Sequence, residues 1–159
     1  MGSFNGEFAH KIDSKGRIFV PRRILEEIED PGERNHFTVV VDKAEGCLVI
    51  YTASGFADYI SSAIAKQKTS RGARFLRRSI GANSRRIPLD AQGRILLPEE
   101  LRARIEMGRD AMIVGGLSYF EIWDQKVYKE IALPKADEFY EAEVADFRNP
   151  DYVPEEGEK

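Results

Sequence analysis

Residues 13–28 read DSKGRIFVPRRILEEI, and residues 90–105 read DAQGRILLPEELRARI. At a constant offset of 77 positions, six residues of the first stretch are identical in the second. The identical pairs are Asp13/Asp90, Gly16/Gly93, Arg17/Arg94, Ile18/Ile95, Pro21/Pro98 and Ile28/Ile105. Because self-similarity at a fixed offset is typical of duplicated architectures, the sequence predicts two copies of one small unit within the 159-residue chain.

The first residues of each copy have the chemistry of a tight turn. An aspartate carboxylate can accept hydrogen bonds from nearby backbone amides, and a glycine adopts positive φ without steric cost. We therefore expect Asp13 and Gly16 to shape the first turn, and Asp90 and Gly93 to shape the second. A short apolar strand follows each turn, and a proline then marks the start of a helix.

Each copy continues with two further apolar runs of the β type and then a helical pattern. Each unit therefore reads strand, turn, strand, short helix, strand, strand, helix. On this basis the chain divides into a first unit (1–68), a helical connector (69–82), a second unit (83–136) and an acidic C-terminal tail (137–159).

Apolar residues at helical spacing predict where the longer helices lie. Phe56, Ile60 and Ile64 would form one apolar face, which we expect to be core, with Ser54 as the N-cap of this helix. A final helix is predicted to end near Pro134, because proline disrupts a helix interior.

Charge is unevenly distributed along the chain. The formal net charge at pH 7 is −3, but residues 66–109 carry twelve Lys and Arg against four Asp and Glu. Residues 137–159 have the opposite bias, with two basic residues against nine acidic ones. A basic middle favours polyanion binding, and the alternative is a solvated helix face beside a solubilising tail.

Several functional classes find no support in the sequence. The two histidines and the single Cys47 lack the spacing of a zinc site or a catalytic pair, and no nucleophile elbow or phosphate-binding loop is present. We therefore expect no enzymatic activity, no cofactor and no metal.

No apolar run approaches the roughly 18 residues that cross a membrane, and no secretion signal is recognised. With one cysteine, these features predict a cytoplasmic protein without a membrane partner.

The repeated turn carries a resemblance to a known family. Two Asp-x-x-Gly-Arg turns, each with a proline four residues after the arginine, resemble the MraZ family, which is related to the swapped-hairpin barrels of the AbrB/SpoVT type. The opening from Phe4 to Glu7 is similar as well, and the resemblance extends to about Ile131. It implies a mainly β fold with several helices, α+β by content, in which two tandem units form a pseudo-two-fold swapped-hairpin β-barrel.

The resemblance also implies a function. Members of that family form closed rings of several subunits and bind short direct repeats in the promoter of the division and cell-wall gene cluster. We therefore expect a sequence-specific transcriptional regulator, associated with the nucleoid, whose partners are double-stranded DNA and other copies of itself. The alternative is an antitoxin-like or scaffold module that uses the same barrel to bind a protein partner.

The DNA-binding residues are expected at the turns. A guanidinium can hold a phosphate, or the O6/N7 edge of guanine, through two hydrogen bonds, which favours Arg17 and Arg94. Lys15 adds a point charge for phosphate, whereas the second turn has Gln92 at that position, so unequal binding by the two copies is one interpretation. Four further arginines are predicted to extend the phosphate contacts: Arg22, Arg23, Arg85 and Arg86. The alternative is that each turn arginine pairs with the aspartate of its own turn and only stabilises it.

Overall fold

The computed structural model describes residues 2–147, which fall into two compact units. The first unit ends at Gln125 and the second begins at Lys126. All eight strands of the described residues lie in the first unit, whereas the second is helical. Across residues 2–147, no helix combines the length and the apolar character that crossing a membrane requires.

The first repeat has the order of elements that the sequence predicts. Its strands are β1 (Glu7–Lys11), β2 (Arg17–Phe19), β3 (His36–Asp42) and β4 (Cys47–Tyr51). Its helices are α1 (Arg22–Glu26) between β2 and β3, and α2 (Ala53–Ala65) after β4.

The second repeat has the same order, and helix α3 (Ser70–Ala82) precedes it. Its strands are β5 (Ser84–Pro88), β6 (Arg94–Leu96), β7 (Asp110–Gly115) and β8 (Phe120–Asp124), with α4 (Glu99–Arg104) between β6 and β7. After β8 come the single turn α5 (Gln125–Val127), a π-helical turn (Tyr128–Ala132) and α6 (Leu133–Phe147).

The two repeats interleave their strands. The large sheet has the order β1-β7-β8-β4-β3-β5, with every neighbouring pair antiparallel, and β2 pairs separately with β6. Exchanging each strand for its repeat equivalent reverses this order, so the arrangement has a pseudo-two-fold axis. The two-repeat α+β fold is therefore confirmed, while the recorded pairings form an open six-stranded sheet and a two-stranded ribbon.

The α+β content that the resemblance implies is confirmed, but the fold is less strongly β than expected, because the helices are longer than the strands. Helices α2 and α3 have 13 residues each and α6 has 15, whereas the longest strand, β3, has seven. The segments that connect and follow the repeats supply these helices, so the chain is a mixed α+β protein.

The core of the first unit lies between the sheet and the β2–β6 ribbon. Phe120 packs edge to face against both Phe4 and Phe37, with ring centroids 5.9 and 5.7 Å apart. Ile18 and Ile95, the central residues of the ribbon, are buried in the same cluster. Because each fully buried side chain of this size contributes about 1.5–3 kcal/mol, the ribbon is held firmly on the core.

Helix α2 differs from its prediction in two respects. Its N-cap is Thr52, whose hydroxyl accepts from the amide of Gly55, and Ser54 instead donates its backbone amide to Glu33. An N-cap requires an extended backbone, which Thr52 has. Ser54 lies inside the first turn of the helix and so cannot be its N-cap. The apolar stripe through Phe56 is only half-buried, so the expectation that it is core was too strong.

The helical C-terminal part extends past the predicted stop. Pro134 is the second residue of α6, a helix that directly follows the π-helical turn (Tyr128–Ala132), so the helical run continues through it instead of ending there. Helix therefore continues to Phe147 through part of the segment predicted as an acidic tail (137–159). Residues 148–159 of that tail lie outside the described residues.

Candidate nucleic-acid interface

The two repeated turns have the same backbone hydrogen bonds. In the first, Asp13 Oδ1 accepts from the amides of Lys15 and Arg17, both at 2.9 Å, and Gly16 has φ 87°. The second turn repeats this pattern at an offset of 77: Asp90 Oδ1 accepts from the amides of Gln92 and Arg94 at 2.9 Å, and Gly93 has φ 82°. Aspartate and glycine thus shape each turn through the chemistry that their types provide.

Each turn arginine forms an ion pair with the aspartate of its own turn. Arg17 Nε lies 2.7 Å from Asp13 Oδ2, and Arg94 Nε lies 2.8 Å from Asp90 Oδ2. The backbone amide of Arg17, together with its guanidinium, lowers the pKa of Asp13 to about 2, and the equivalent contacts lower the pKa of Asp90. Both carboxylates are therefore ionised at neutral pH and orient their arginines.

The ion pairs leave the outer edges of the two guanidiniums in different states. Within residues 2–125, the guanidinium of Arg17 is engaged through Nε alone, and its two η nitrogens have no hydrogen-bond partner. In the second turn, Arg94 Nη2 donates to Gln92 Oε1 at 3.0 Å. The pairing of Arg17 with its own aspartate is therefore compatible with an outward contact through the η nitrogens.

The ribbon brings both turns onto one surface. β2 and β6 pair antiparallel with Ile18 opposite Ile95, so the first turn lies at one end of the ribbon and the second at the other. Because side chains alternate along a strand, both isoleucines point into the core and the flanking residues point outward. We call this outer surface the ribbon face; it consists of Arg17, Phe19, Arg94 and Leu96.

The surroundings of the two arginines differ across the ribbon. Phe19 lies opposite Arg94, and the guanidinium carbon of Arg94 lies 5.8 Å from the centroid of the Phe19 ring. The residue opposite Arg17 is Leu96, which has no π system. The Arg17 side chain is 31% exposed, whereas that of Arg94 is 19% exposed. Of the two guanidiniums, that of Arg17 is therefore the more available to a ligand.

Helix α4 supports the first turn through Arg102. A Cβ atom added to Gly16 would lie 2.8 Å from Arg102 Nη2 and 3.2 Å from the carbonyl oxygen of Leu97. An added Cβ on Gly93 meets nothing within 4 Å. The guanidinium of Arg102 therefore occupies the space that a side chain at the first turn would need, and it adds positive charge beside Lys15.

The other four predicted phosphate contacts are dispersed. Arg22 pairs with Glu26 at 3.0 Å on the surface of α1, and Arg23 is exposed on the same helix. Arg86 is exposed on β5, with Nη2 3.3 Å from a ring nitrogen of His36.

Arg85 is the most constrained of these arginines. Its Nη2 lies 2.6 Å from Glu100 on α4, its Nε donates to the same carboxylate, and its Nη1 donates to the carbonyl oxygens of Ala82 and Ser84. A phosphate contact by Arg85 stays a prediction, but it would need these bonds to be exchanged.

Sequence reasoning missed the outward position of two apolar residues. Phe19 and Leu96 are 49% and 52% exposed, although each lies in an apolar run. Strict alternation about the buried Ile18 and Ile95 is the signal that would have placed them on the ribbon face.

Metal-dependent and thiol chemistry find no support among the described residues. No group of three His, Cys, Asp or Glu residues in the described part of the chain could hold a metal ion. Burial, reinforced by the negative charge of Glu121, raises the pKa of the Cys47 thiol, which is therefore protonated and a poor nucleophile.

Comparison with known proteins gives one consistent result. A family model described as "MraZ protein, putative antitoxin-like" matches residues 3–78 and 81–148, so that each matched segment contains one turn. A protein of Ruegeria sp. (strain TM1040), named "Transcriptional regulator MraZ", is 30% identical over 151 residues, which are 91% of this chain and 90% of the relative.

Two further relatives bear the same name. The protein from Thermomicrobium roseum is 36% identical over 120 residues, covering 76% of this chain and 80% of the relative. The protein from Lachnoclostridium phytofermentans is 34% identical over 135 residues, covering 85% of this chain and 91% of the relative.

Proposed function

The chain belongs to the MraZ family, and we propose that it is a DNA-binding transcriptional regulator that acts on short direct repeats in the promoter of the division and cell-wall gene cluster. The prediction that it is not an enzyme is confirmed by this membership, because the curated relatives are named as transcriptional regulators.

One observation carries the proposal: a single ribbon presents both turn arginines on the same outward face. Arg17 and Arg94 stand at opposite ends of a three-residue antiparallel pair whose central residues are anchored in the core. Cationic groups on a rigid support lose little conformational entropy on binding, which favours both affinity and a defined register on the duplex.

The aspartates hold the arginines in the orientation that a contact needs. Asp13 fixes Nε of Arg17 and leaves the edge that carries the two η nitrogens unengaged within residues 2–125. This edge matches the spacing of two phosphate oxygens or of guanine O6 and N7. In our proposal Arg17 reads a base or grips a phosphate, and Lys15 adds a phosphate contact beside it.

Oligomerisation would multiply these contacts. We propose a ring-shaped homo-oligomer, in which neighbouring subunits engage successive direct repeats and raise avidity by about 10²–10⁴ without a new type of contact. The half-buried stripe of α2 and Leu117, which is 61% exposed, offer apolar surface that a neighbouring subunit can cover. The proposed nucleoid association follows from the same DNA binding.

The finer fold is also part of the proposal. The pseudo-two-fold strand order and the separate β2–β6 ribbon support a swapped-hairpin barrel, in which each repeat contributes strands to the pairing of the other. On the same grounds we propose that the chain divides after residues 68, 82 and 136 into the first unit, the helical connector, the second unit and the acidic tail.

The direct test is a binding titration with duplex DNA from upstream of the chain's own gene. The wild-type protein should prefer this duplex over a scrambled duplex of equal length and composition. The double variant Arg17→Ala, Arg94→Ala, shown to be folded by thermal unfolding, should lose this preference. Equal binding of both duplexes by the wild type would overturn sequence-specific recognition, and an unchanged double variant would remove the turns from the site.

A second candidate function is favoured by the description of the matching family model, which contains the words "antitoxin-like". In that case the same scaffold would bind a protein partner, with the acidic segment 137–159 as a docking element. Deletion of residues 137–159 separates the two: DNA binding survives if the ribbon carries it, and partner binding is lost if the segment does.

A further inference from the structure

Helix α3 presents a basic surface that the ribbon does not explain. Arg71, Arg74, Phe75 and Arg78 lie at helical positions i, i+3, i+4 and i+7, which places them on one face. All four are exposed, whereas Ala73 on the opposite face is buried. We call this group the α3 basic face; it lines an open groove of about 440 Å³ together with Ser70.

An exposed phenylalanine organises the arginines of this face. The guanidinium carbons of Arg71 and Arg78 lie 5.2 and 6.0 Å from the centroid of the Phe75 ring, which is itself 50% exposed. Cation–π contacts of this kind order long side chains without consuming their hydrogen-bond donors. The donors of both guanidiniums therefore stay available to an anionic ligand.

The charge of the face is uncompensated within its own unit. Arg71, Arg74 and Arg78 form no ion pair with a carboxylate of residues 2–125. The stretch 59–89 contains eight Lys and Arg and no Asp or Glu. An arginine cluster without internal counter-charges creates a local positive potential that favours a polyanion.

Helix α4 connects this region to the first turn. Arg104 of α4 donates to Asn83 Oδ1, at the C-cap of α3, with a distance of 2.7 Å. Two residues earlier on α4, the guanidinium of Arg102 lies against Gly16 of the first turn. Helix α4 therefore contacts both the C-cap of α3 and the first turn.

We propose that the α3 basic face binds the phosphate backbone of duplex DNA next to the bases read at the turns. About 10 Å of helix axis separates Arg71 from Arg78 at 1.5 Å per residue. Each strand of a DNA duplex carries one phosphate per 3.4 Å of axis, so about three phosphates fall along this length. The face supplies affinity and register but no sequence preference, and this inference rests on the DNA-binding function proposed above.

The experiment compares two triple variants with the same change of charge. Arg71→Gln, Arg74→Gln, Arg78→Gln removes the basic face and keeps side chains of good helix propensity. Lys43→Gln, Lys129→Gln, Lys135→Gln removes three exposed lysines that belong neither to α3 nor to the two turns, and it serves as the control. Binding of the full chain to the upstream duplex and to its scrambled counterpart is measured between about 50 and 200 mM salt.

The α3 variant should bind both duplexes at least about tenfold more weakly, with the ratio between them unchanged. Its slope of log affinity against log salt should be shallower by about 2.7, since each phosphate contact contributes about 0.9. The corresponding Arg→Lys triple should recover most of the affinity, because a point charge suffices for phosphate. Recovery also shows that lost binding does not reflect a failure to fold.

Three results would overturn the inference. The first is an α3 variant that binds DNA like the lysine control, and the second is a fall only for the upstream duplex, which would indicate base reading. The third is an α3 variant that binds DNA more tightly than the wild type, together with the same tightening when residues 137–159 are deleted. This pair of results would indicate that the ligand of the α3 basic face is the acidic segment of the chain itself. Failure of the proposed regulatory function is a different result: the wild type would then bind the upstream and the scrambled duplex equally.

Discussion

The first and second turns have the same backbone but different neighbours. Both have an aspartate that holds an arginine through Nε, and a glycine at positive φ. The first adds Lys15, unengaged η nitrogens on Arg17 and a packed Arg102, whereas the second adds Gln92 and an aromatic ring that engage Arg94. Both copies thus keep the aspartate that orients the turn arginine. They differ in how freely the guanidinium of that arginine can contact a ligand.

The largest expected difference is in the response of the two glycines to alanine. Both substitutions place a Cβ at positive φ, which costs about 1–2 kcal/mol. Gly16→Ala should cost more, because its Cβ lies 3.2 Å from the backbone carbonyl oxygen of Leu97 and must also displace the flexible end of Arg102, whereas that of Gly93→Ala meets open space. Urea unfolding of both variants measures the difference.

A double variant serves as the control for this prediction. Adding Arg102→Ala to Gly16→Ala should recover part of the extra loss, because the closest contact is then absent. Equal free energies of unfolding for the two single variants would show that the neighbours of the turns are energetically irrelevant.

The second comparison concerns DNA binding by the single arginine variants. Arg17→Ala should weaken binding to the upstream duplex by about 1–3 kcal/mol, because an exposed fork is lost. Arg94→Ala should have a smaller effect, because that guanidinium is less exposed and engaged by Gln92. Fluorescence anisotropy at one salt concentration is sufficient, and a larger loss for Arg94→Ala would invert our assignment of the dominant turn.

A smaller effect is expected from exchanging the residues that precede the glycines. Lys15→Gln should lower the salt slope of DNA binding by about 0.9, the contribution of one phosphate contact. Gln92→Lys should raise it by a similar amount and also release Arg94 Nη2. If Lys15→Gln leaves the slope at its wild-type value, Lys15 contacts no phosphate.

The smallest effect is the acid sensitivity of the turns. The pKa of Asp13 is lowered from 3.8 to about 2, so its contribution to folding is fully present above about pH 4 and is lost as the pH falls towards 2. Asp13→Asn should flatten the dependence of stability on pH in that window, and Asp90→Asn should act in the same direction. Thermal unfolding between pH 2 and 5 tests this prediction. If the variant that carries both Asp13→Asn and Asp90→Asn loses stability with falling pH as steeply as the wild type, the prediction is wrong.

The fold was predictable where it rests on local chemistry. The offset of 77 predicted two units, and the aspartate and glycine of each turn explain its hydrogen bonds. The interleaved pairing of β1 with β7 was not visible in periodicity, because a strand pattern specifies which face is buried but not which strand lies beside it. It was implied only through the family resemblance.

The candidate site was predicted less completely. Pairing of Arg17 with Asp13 was one of two interpretations, and the sequence has no means to show that Nε alone would be engaged. The α3 basic face was visible as charge, but the ordering of Arg71 and Arg78 around Phe75 depends on side-chain rotamers. The outward position of Phe19 was predictable in principle, from its alternation with Ile18 in β2.

The pairing of β1 with β7 has a consequence for synthesis of the chain. Glu7 is paired with Val114, so the first strand has no neighbour until about 100 more residues have been translated. At about 5–20 residues per second, β1 waits on the order of 5–20 s at the ribosome as an unpaired edge. Its alternating pattern of exposed and half-buried residues, ending in Lys11, limits adhesion to other nascent chains during that interval.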